Sequence, residues 1–157
     1  MRVVLQRVAR ASVTADGEPT GSIGPGLVAL VGVGADSTDD DARWLAAKTE
    51  ALRVFPPGEE EAAGGGGKME RSVAEIGGGV LAVSQFTLYA DTRKGRRPSF
   101  TGAADPDEGE RLYRVYCDAL SVPVATGRFG AHMAIDLDAD GPVTILLRSE
   151  AGVRGDA

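Results

Sequence analysis

Few side chains in this sequence are equipped for chemistry. It holds a single histidine, His132, and a single cysteine, Cys117. One histidine excludes a multi-histidine metal site within the chain and leaves a hydrolase one imidazole to use as general base. One cysteine excludes an intramolecular disulfide and a cysteine-based zinc cluster. His132 alternates with Ala134 and Asp136, opposite an apolar row of Met133, Ile135 and Leu137, so it is expected to face solvent. Cys117 lies beside the apolar stripe of a helix, with no basic neighbour to favour a thiolate. A Ser-His-Asp or Cys-His hydrolase is therefore not the favoured reading, and neither metal nor cofactor is expected.

The 22 glycines invite a search for nucleotide motifs, and two candidates fail. In GGGGK at 64–68, Met69 follows the lysine where Ser or Thr is required, and Ala62 replaces the first glycine. In GVGADS at 32–37, Ser37 holds the third glycine position of a dinucleotide fingerprint. A different cluster survives. Arg93, Lys94, Arg96 and Arg97 crowd one polar stretch of an acidic chain, a concentration of charge suited to phosphates. Just before it, Ser84, Gln85 and Thr87 fall near the end of an apolar run. Polar groups there need partners, from the fold or from a ligand. On the residues alone, this pairing of a polar strand end with a basic loop suits either an enzyme or a binding module.

The elements that must position these residues can be read from periodicity. Residues 2–8 and 12–16 read as strands, Asp16-Gly17 as a hairpin turn, and 19–23 as the return strand. The apolar run 27–33 reads as a buried central strand. Ser37 to Asp41 supplies an N-cap and an acidic first turn for a helix with Trp44, Ala47, Ala51, Val54 and Phe55 as its apolar stripe, stopped at Pro56-Pro57-Gly58. A surface loop is expected over 58–67. Residues 80–88 read as a strand, with Leu81, Val83, Gln85 and Thr87 on one face, and 89–100 as a polar loop. A second helix begins at Asp105 with Pro106 at its first position and Glu108 completing a capping box. Leu112, Val115, Tyr116 and Ala119 form its buried face. Residues 132–137 and 142–148 read as partner strands about a turn at 138–141. The class is α+β, with a mostly antiparallel, barrel-like sheet and two main helices.

At 157 residues the chain is expected to be one domain, 1–157, with a loose tail at 150–157. A net charge of −6 excludes a generally basic nucleic-acid coat protein, while leaving room for a local basic patch. The amino-terminal stretch lacks the apolar core of a secretory signal, and no run is long enough to span a membrane. A cytoplasmic setting is expected.

VSQFTLYADTRKGRRPSF at 83–100 and DGPVT at 140–144 closely resemble the two signature motifs of the D-aminoacyl-tRNA deacylase family. LQRVARASV at 5–13, IGPGL at 23–27 and GRFGAHM at 127–133 agree with it in place and order. The resemblance covers nearly the whole chain. Departures are local: the insert at 62–67, Ala139 where asparagine is common, His132 at a variable position, and residues from Glu150 onward.

The resemblance implies a homodimeric hydrolase that cleaves the ester between a D-amino acid, or glycine mischarged on tRNA(Ala), and the terminal adenosine. It implies a cis Gly141-Pro142 peptide inserted into the partner's pocket, where backbone carbonyls exclude an L side chain. It implies catalysis assisted by the 2′-hydroxyl of the terminal adenosine. Ser84, Gln85, Phe86 and Thr87 would position the substrate and stabilise the oxyanion through backbone N–H groups near Phe86 and Thr87. Phe129 and Met133 would contact the adenine, and Gln6 and Arg7 would brace Gly141-Pro142. Arg93, Lys94, Arg96 and Arg97 would contact tRNA phosphates or the partner subunit. The implied partners are a second copy and the 3′ end of aminoacyl-tRNA, with no DNA and no membrane. Two rivals remain: a non-catalytic RNA-binding module, and a small-molecule esterase pairing Ser84 or Thr87 with His132.

Overall fold

The computed structural model describes residues 1–58, 68–150 and 152–156. The expected surface loop lies outside them except for Gly58. Seven strands form one sheet: β1 (Arg2–Ala15), β2 (Glu18–Ile23), β3 (Gly26–Gly32), β4 (Gly79–Ser84), β5 (Val124–Thr126), β6 (Met133–Glu150) and β7 (Val153–Asp156). Helix α1 (Asp39–Ala51) follows β3, and helix α2 (Pro106–Asp118) follows β4. Spatial order is β5-β4-β3-β1-β6-β7, with β2 also on β1. Among the described residues no helix is long and apolar enough to cross a membrane.

The sheet corrects the mostly antiparallel expectation. β3–β4 and β4–β5 are parallel, and the remaining pairs are antiparallel. The reason is the placement of the helices: each occupies a crossover between neighbouring strands, and a crossover returns the chain parallel. The sheet is open rather than a closed barrel. It does curl, since a Cβ on Gly21 of β2 would lie 2.7 Å from the Thr126 carbonyl of β5.

In two places a pair of strands expected separately, 2–8 with 12–16 and 132–137 with 142–148, is instead one long strand. Residues 2–15 run continuously as β1 and pair with both halves of β6. The turn expected at 138–141 is a bulge within β6, because β1 is long enough to template both sides of it. The residues beyond Glu150, expected to be loose, include β7, which pairs with the end of β6.

The helices cover one face of the sheet. Val3, Leu5, Leu27, Ala29, Val80 and Leu147 pack there with Leu45, Leu112 and Tyr116. Thr38 caps α1 through a reciprocal pair with Asp41, the side chain of each accepting from the other's backbone N–H. Its buried face is Ala42, Leu45, Ala46 and Thr49, not the expected stripe. Ala47 and Ala51 are exposed, and Val54 and Phe55 lie beyond the helix. Thr49 passes as a core residue because its hydroxyl bonds the Leu45 carbonyl at 2.8 Å and meets the Tyr116 hydroxyl at 2.9 Å. Asp105 and Pro106 begin α2 as expected, but the capping box does not form: Asp105 makes no side-chain cap, and Glu108 pairs with Arg111. Tyr113 joins Leu112 and Tyr116 on its buried face, while Val115 is half-buried.

Candidate active site

β4 ends at Ser84, four residues earlier than its apolar run suggests, because β3 offers no partner beyond Val31 opposite Ser84. The Gln85 N–H still reaches the Val31 carbonyl at 2.8 Å. The chain then folds into a 3₁₀ turn, Phe86–Tyr89, across the end of β3. Gly32 leaves the space for this, since a Cβ there would sit 3.0 Å from the Gln85 carbonyl and from Leu88. The alternation expected over 80–88 therefore stops at Ser84. Within the turn, Leu88 donates to Gln85 and the following Ala90 donates to Thr87. The N–H groups of Phe86 and Thr87, first in the turn, have no acceptor among the described residues, as the opening of a helical turn dictates.

Ser84, Gln85 and Phe86 line a cavity of about 380 Å³ together with Phe100, Gly109 and Phe129. Its walls are mainly apolar. Phe86, 58% exposed, meets Phe100 edge to face with ring centres 5.0 Å apart. Phe129 leans on Tyr113 at 6.0 Å, above Gly109, where a Cβ would be 3.4 Å from the ring. Thr87 is exposed, and its hydroxyl accepts from the Gln85 amide. No carboxylate or imidazole bonds it among the described residues. His132 is exposed as expected, and its carbonyl accepts from Asp16 at the β1–β2 turn. Met133 is not part of the cavity lining; it packs on the second core cluster with Val8, Val13 and Leu81.

Gly141 and Pro142 lie elsewhere. Between the pairs Gln6–Thr144 and Val8–Ala139, β6 spends Asp140, Gly141, Pro142 and Val143 opposite Arg7 alone. The excess bulges outward, leaving Gly141 and Pro142 exposed. The Gly141–Pro142 peptide is cis, and Gly141 has φ 123°. A Cβ on Gly141 would meet the Val143 nitrogen at 2.7 Å, so the position needs glycine. Arg7 holds the base of the bulge. Its side chain, 11% exposed, donates to the Val54 carbonyl at 2.6 Å, and its Nε lies 2.8 Å from Asp140 Oδ2. That N–H points off line, so the contact is ionic rather than a formed hydrogen bond. Gln6 is half-buried beside Thr144. β1 and β3 separate this bulge from β4 and its cavity.

The basic loop forms a third region. Asp91 and Ser99 exchange backbone bonds of 2.7 and 2.9 Å across its neck. Arg93, though exposed, folds back on Asp91 and grips it through Nε and Nη2, at 2.9 and 2.6 Å. That grip, with the Arg93 backbone N–H, pulls the Asp91 carboxyl down to about 2. Lys94, Arg96 and Arg97 are exposed, and none pairs with a carboxylate among the described residues. Lys94 and Arg97 share a concavity of about 500 Å³ with Asp91, Arg93 and Ser99. The Asp91–Arg93 brace was not anticipated, although its i,i+2 spacing in a loop could have suggested it. Phe100 and Gly109 at the cavity were also missed, and no local pattern marks them. Among the described residues no cluster of three or more His, Cys, Asp or Glu could hold a metal.

On the face away from the helices, Leu30, Val4 and Leu146 are register partners across β3, β1 and β6 and so share one row. Nothing described covers it fully: Leu146 is 47% exposed.

Comparison with known proteins identifies relatives of the chain and of its fold. Residues 4–148 match the family described as D-Tyr-tRNA(Tyr) deacylase. A D-aminoacyl-tRNA deacylase of Deinococcus radiodurans is 55% identical, over 94% of this chain and 99% of its own length. One from Heliobacterium modesticaldum is 51% identical, over 97% and 99%. Among solved structures, the c-Myc DNA Unwinding Element Binding Protein superposes with TM-score 0.85 at 36% identity, covering 96% of this chain and all of that one. A probable eukaryotic D-amino acid tRNA deacylase shares the fold, with TM-score 0.76 at 20% identity over 92% and 97% of the two chains.

Proposed function

The chain belongs to the D-aminoacyl-tRNA deacylase family and hydrolyses D-aminoacyl-tRNA, and we propose that it does so with backbone donors and the substrate's own hydroxyl rather than a protein nucleophile. The observation that carries this reading is the pair of unclaimed N–H groups on Phe86, which lines the 380 Å³ cavity, and on Thr87, the next residue in the turn. Donors fixed before the reaction stabilise the negative oxygen of a tetrahedral intermediate without reorganising. Water attacks the ester carbonyl, and its proton passes through the 2′-hydroxyl of the terminal adenosine to the departing 3′ oxygen. Free D-amino acid and tRNA result. Thr87 is a poor nucleophile here because its hydroxyl is engaged by an amide and no base stands beside it. Ser84 and Gln85 line the aminoacyl end of the cavity, and Phe129 offers a face to the adenine. Met133 supports that region from the second core cluster.

Chirality is read by exclusion, with Gly141-Pro142 supplied by a second copy. Three features support this: the bulge protrudes, it is braced at its base by Arg7 and flanked by Gln6, and it is remote in strand order from its own chain's cavity. The row Leu30–Val4–Leu146 is the apolar surface on which a homodimer would close. A filter that acts on the Cβ of an L residue has nothing to reject in glycine, so glycyl-tRNA(Ala) is also a substrate. The loop bearing Arg93, Lys94, Arg96 and Arg97 contacts tRNA phosphates.

The test is deacylation of matched D-, L- and glycyl-tRNAs with chelator present. Cleavage of the D and glycyl esters with the L ester spared is expected. Equal cleavage of L and D esters would refute the exclusion filter, and loss of activity on His132→Ala would restore the esterase alternative.

A further inference from the structure

We propose that Arg2, held by Glu150, is a positioning residue for the reaction, clamping the Phe86–Tyr89 turn from its far side. Arg2 is the first residue of β1, and Glu150 is the last of β6. Neither lines the substrate cavity. Yet Arg2 makes two contacts with the turn and a third that holds its side chain in place. Its Nη1 donates to the Leu88 carbonyl at 2.8 Å. Its guanidinium lies over the Tyr89 ring, 4.4 Å from the centre, a favourable cation–π position. Its Nε and Nη2 grip Glu150 at 2.8 and 3.3 Å. Burial is the largest influence on the Glu150 carboxyl and works against its charge, but Arg2, Tyr89 and the amino terminus together outweigh it and hold the carboxyl below its usual range.

The remaining contacts make the turn depend on this clamp. Tyr89 fits against the backbone only because residue 34 is glycine: a Cβ there would lie 2.6 Å from two ring carbons. The Tyr89 hydroxyl is buried beside Glu150 and Ser37 without a well-aligned hydrogen bond to either, so packing under Arg2 and against Gly34 does much to place the ring. At the other end, Gln85 is fixed to Val31 by one backbone bond. The donors on Phe86 and Thr87 therefore hang between two anchors, one on β3 and one made by the side chain of Arg2. Shifting the second anchor tilts both N–H groups relative to the ester. The inference rests on the reading of those donors as the oxyanion site.

The experiment combines steady-state deacylation of D-aminoacyl-tRNA with the amide NMR resonances of Phe86 and Thr87, in the full-length protein and in Arg2→Ala, Glu150→Gln, their double variant and Gly34→Ala. Arg2→Ala is expected to move both resonances and lower kcat about 10-fold to 10²-fold, the scale of a misplacement of about 1 Å, with KM nearly unchanged. Glu150→Gln is expected to give a smaller loss, and the double variant a loss no larger than Arg2→Ala alone, because the two act as a unit. Gly34→Ala reaches the turn by displacing Tyr89 and is expected to mimic Arg2→Ala without touching it. A purely structural clamp would lower the melting temperature and leave kcat per folded molecule intact, which overturns the proposal, as does an unmoved pair of resonances. Moved resonances with unchanged kcat overturn instead the assignment of the turn as the oxyanion site, and Arg2's part in the reaction with it.

Discussion

The two segments that carry the family signatures are built in opposite ways. Ser84 to Tyr89 turns inward over the end of β3, anchored by backbone bonds and walled by Phe100 and Phe129. Asp140 to Val143 turns outward as a bulge, anchored at its base by Arg7 and exposed at its tip. One is a cavity lacking a lid, and the other is a projection lacking a cavity. Two strands of the same sheet separate them, and a sheet cannot fold its own edge bulge into a pocket two strands away, which is the ground for the proposed pairing of two copies.

The sharpest way to break that complementarity is to prevent the two copies from meeting. Leu146→Asp places a charge at the exposed end of the row Leu30–Val4–Leu146. Light scattering is expected to show a monomer, and D-aminoacyl-tRNA turnover is expected to fall about 10²–10³-fold, the scale of losing one element that acts on the transition state. A monomer with full rate and full D-over-L selectivity would show that the bulge works within its own chain, or not at all. Next in size is the bulge itself. Arg7→Ala frees Asp140 and the Val54 carbonyl together, and Gly141→Val drives a side chain into the Val143 backbone. Each is expected to cost about 10²-fold in kcat/KM, as loss of positioning does, while the dimer persists.

The basic loop sharpens the same comparison, because it separates charge used internally from charge left for a ligand. Replacing Lys94, Arg96 and Arg97 by alanine should raise KM about 10-fold to 10²-fold and flatten the slope of log affinity against log salt by about 2, since each phosphate contact contributes about 0.7–0.9. Arg93→Ala should change that slope less, because its charge is already spent on Asp91. The brace also has a pH signature. The Asp91 carboxyl is lowered in the fold to about 2, from about 3.9 in an open chain. Its support for the loop is therefore complete above about pH 4 and lost as pH falls through about 2. Resonances of the loop should hold steady at pH 5 and shift only in strong acid, and in Arg93→Ala the Asp91 titration should return to the ordinary carboxylate range.

Much of this was legible in the sequence, and what was hidden has a common cause. Local signals succeeded where the determinant is local: the Asp16-Gly17 turn, the start of α2 at Asp105-Pro106, and the solvent-facing side of the His132 strand. They failed where a distant partner decides. Nothing within 132–148 tells that β1 is long enough to hold both halves of it in one strand, so the sequence reads as a hairpin. Nothing within 80–88 tells that β3 ends opposite Ser84. Thr49 looks like a surface residue until Tyr116, from the other helix, meets its hydroxyl. The site divides along the same line. Ser84, Gln85 and Phe86 stand in a run the sequence singles out, whereas Phe100 and Gly109 reach the cavity only through contacts across the chain.

The smallest expected effect concerns the residue that most invites a larger one. Thr87 stands in the signature turn with an exposed hydroxyl, as a nucleophile would. Its hydroxyl accepts from Gln85, however, and the proposed mechanism uses instead the Thr87 N–H, which has no acceptor among the described residues. Thr87→Ala keeps the N–H and removes one ordinary hydrogen bond, worth about 0.5–1.5 kcal/mol, so kcat is expected to fall only roughly 2-fold to 10-fold. A covalent mechanism instead requires near-complete loss of turnover with substrate binding intact, and accumulation of an acyl-enzyme in rapid-quench experiments on the unaltered protein. Either result would move the chemistry from the backbone to the side chain. Retained turnover together with a labelled 2′-deoxy terminal adenosine that resists cleavage would fix it on the RNA.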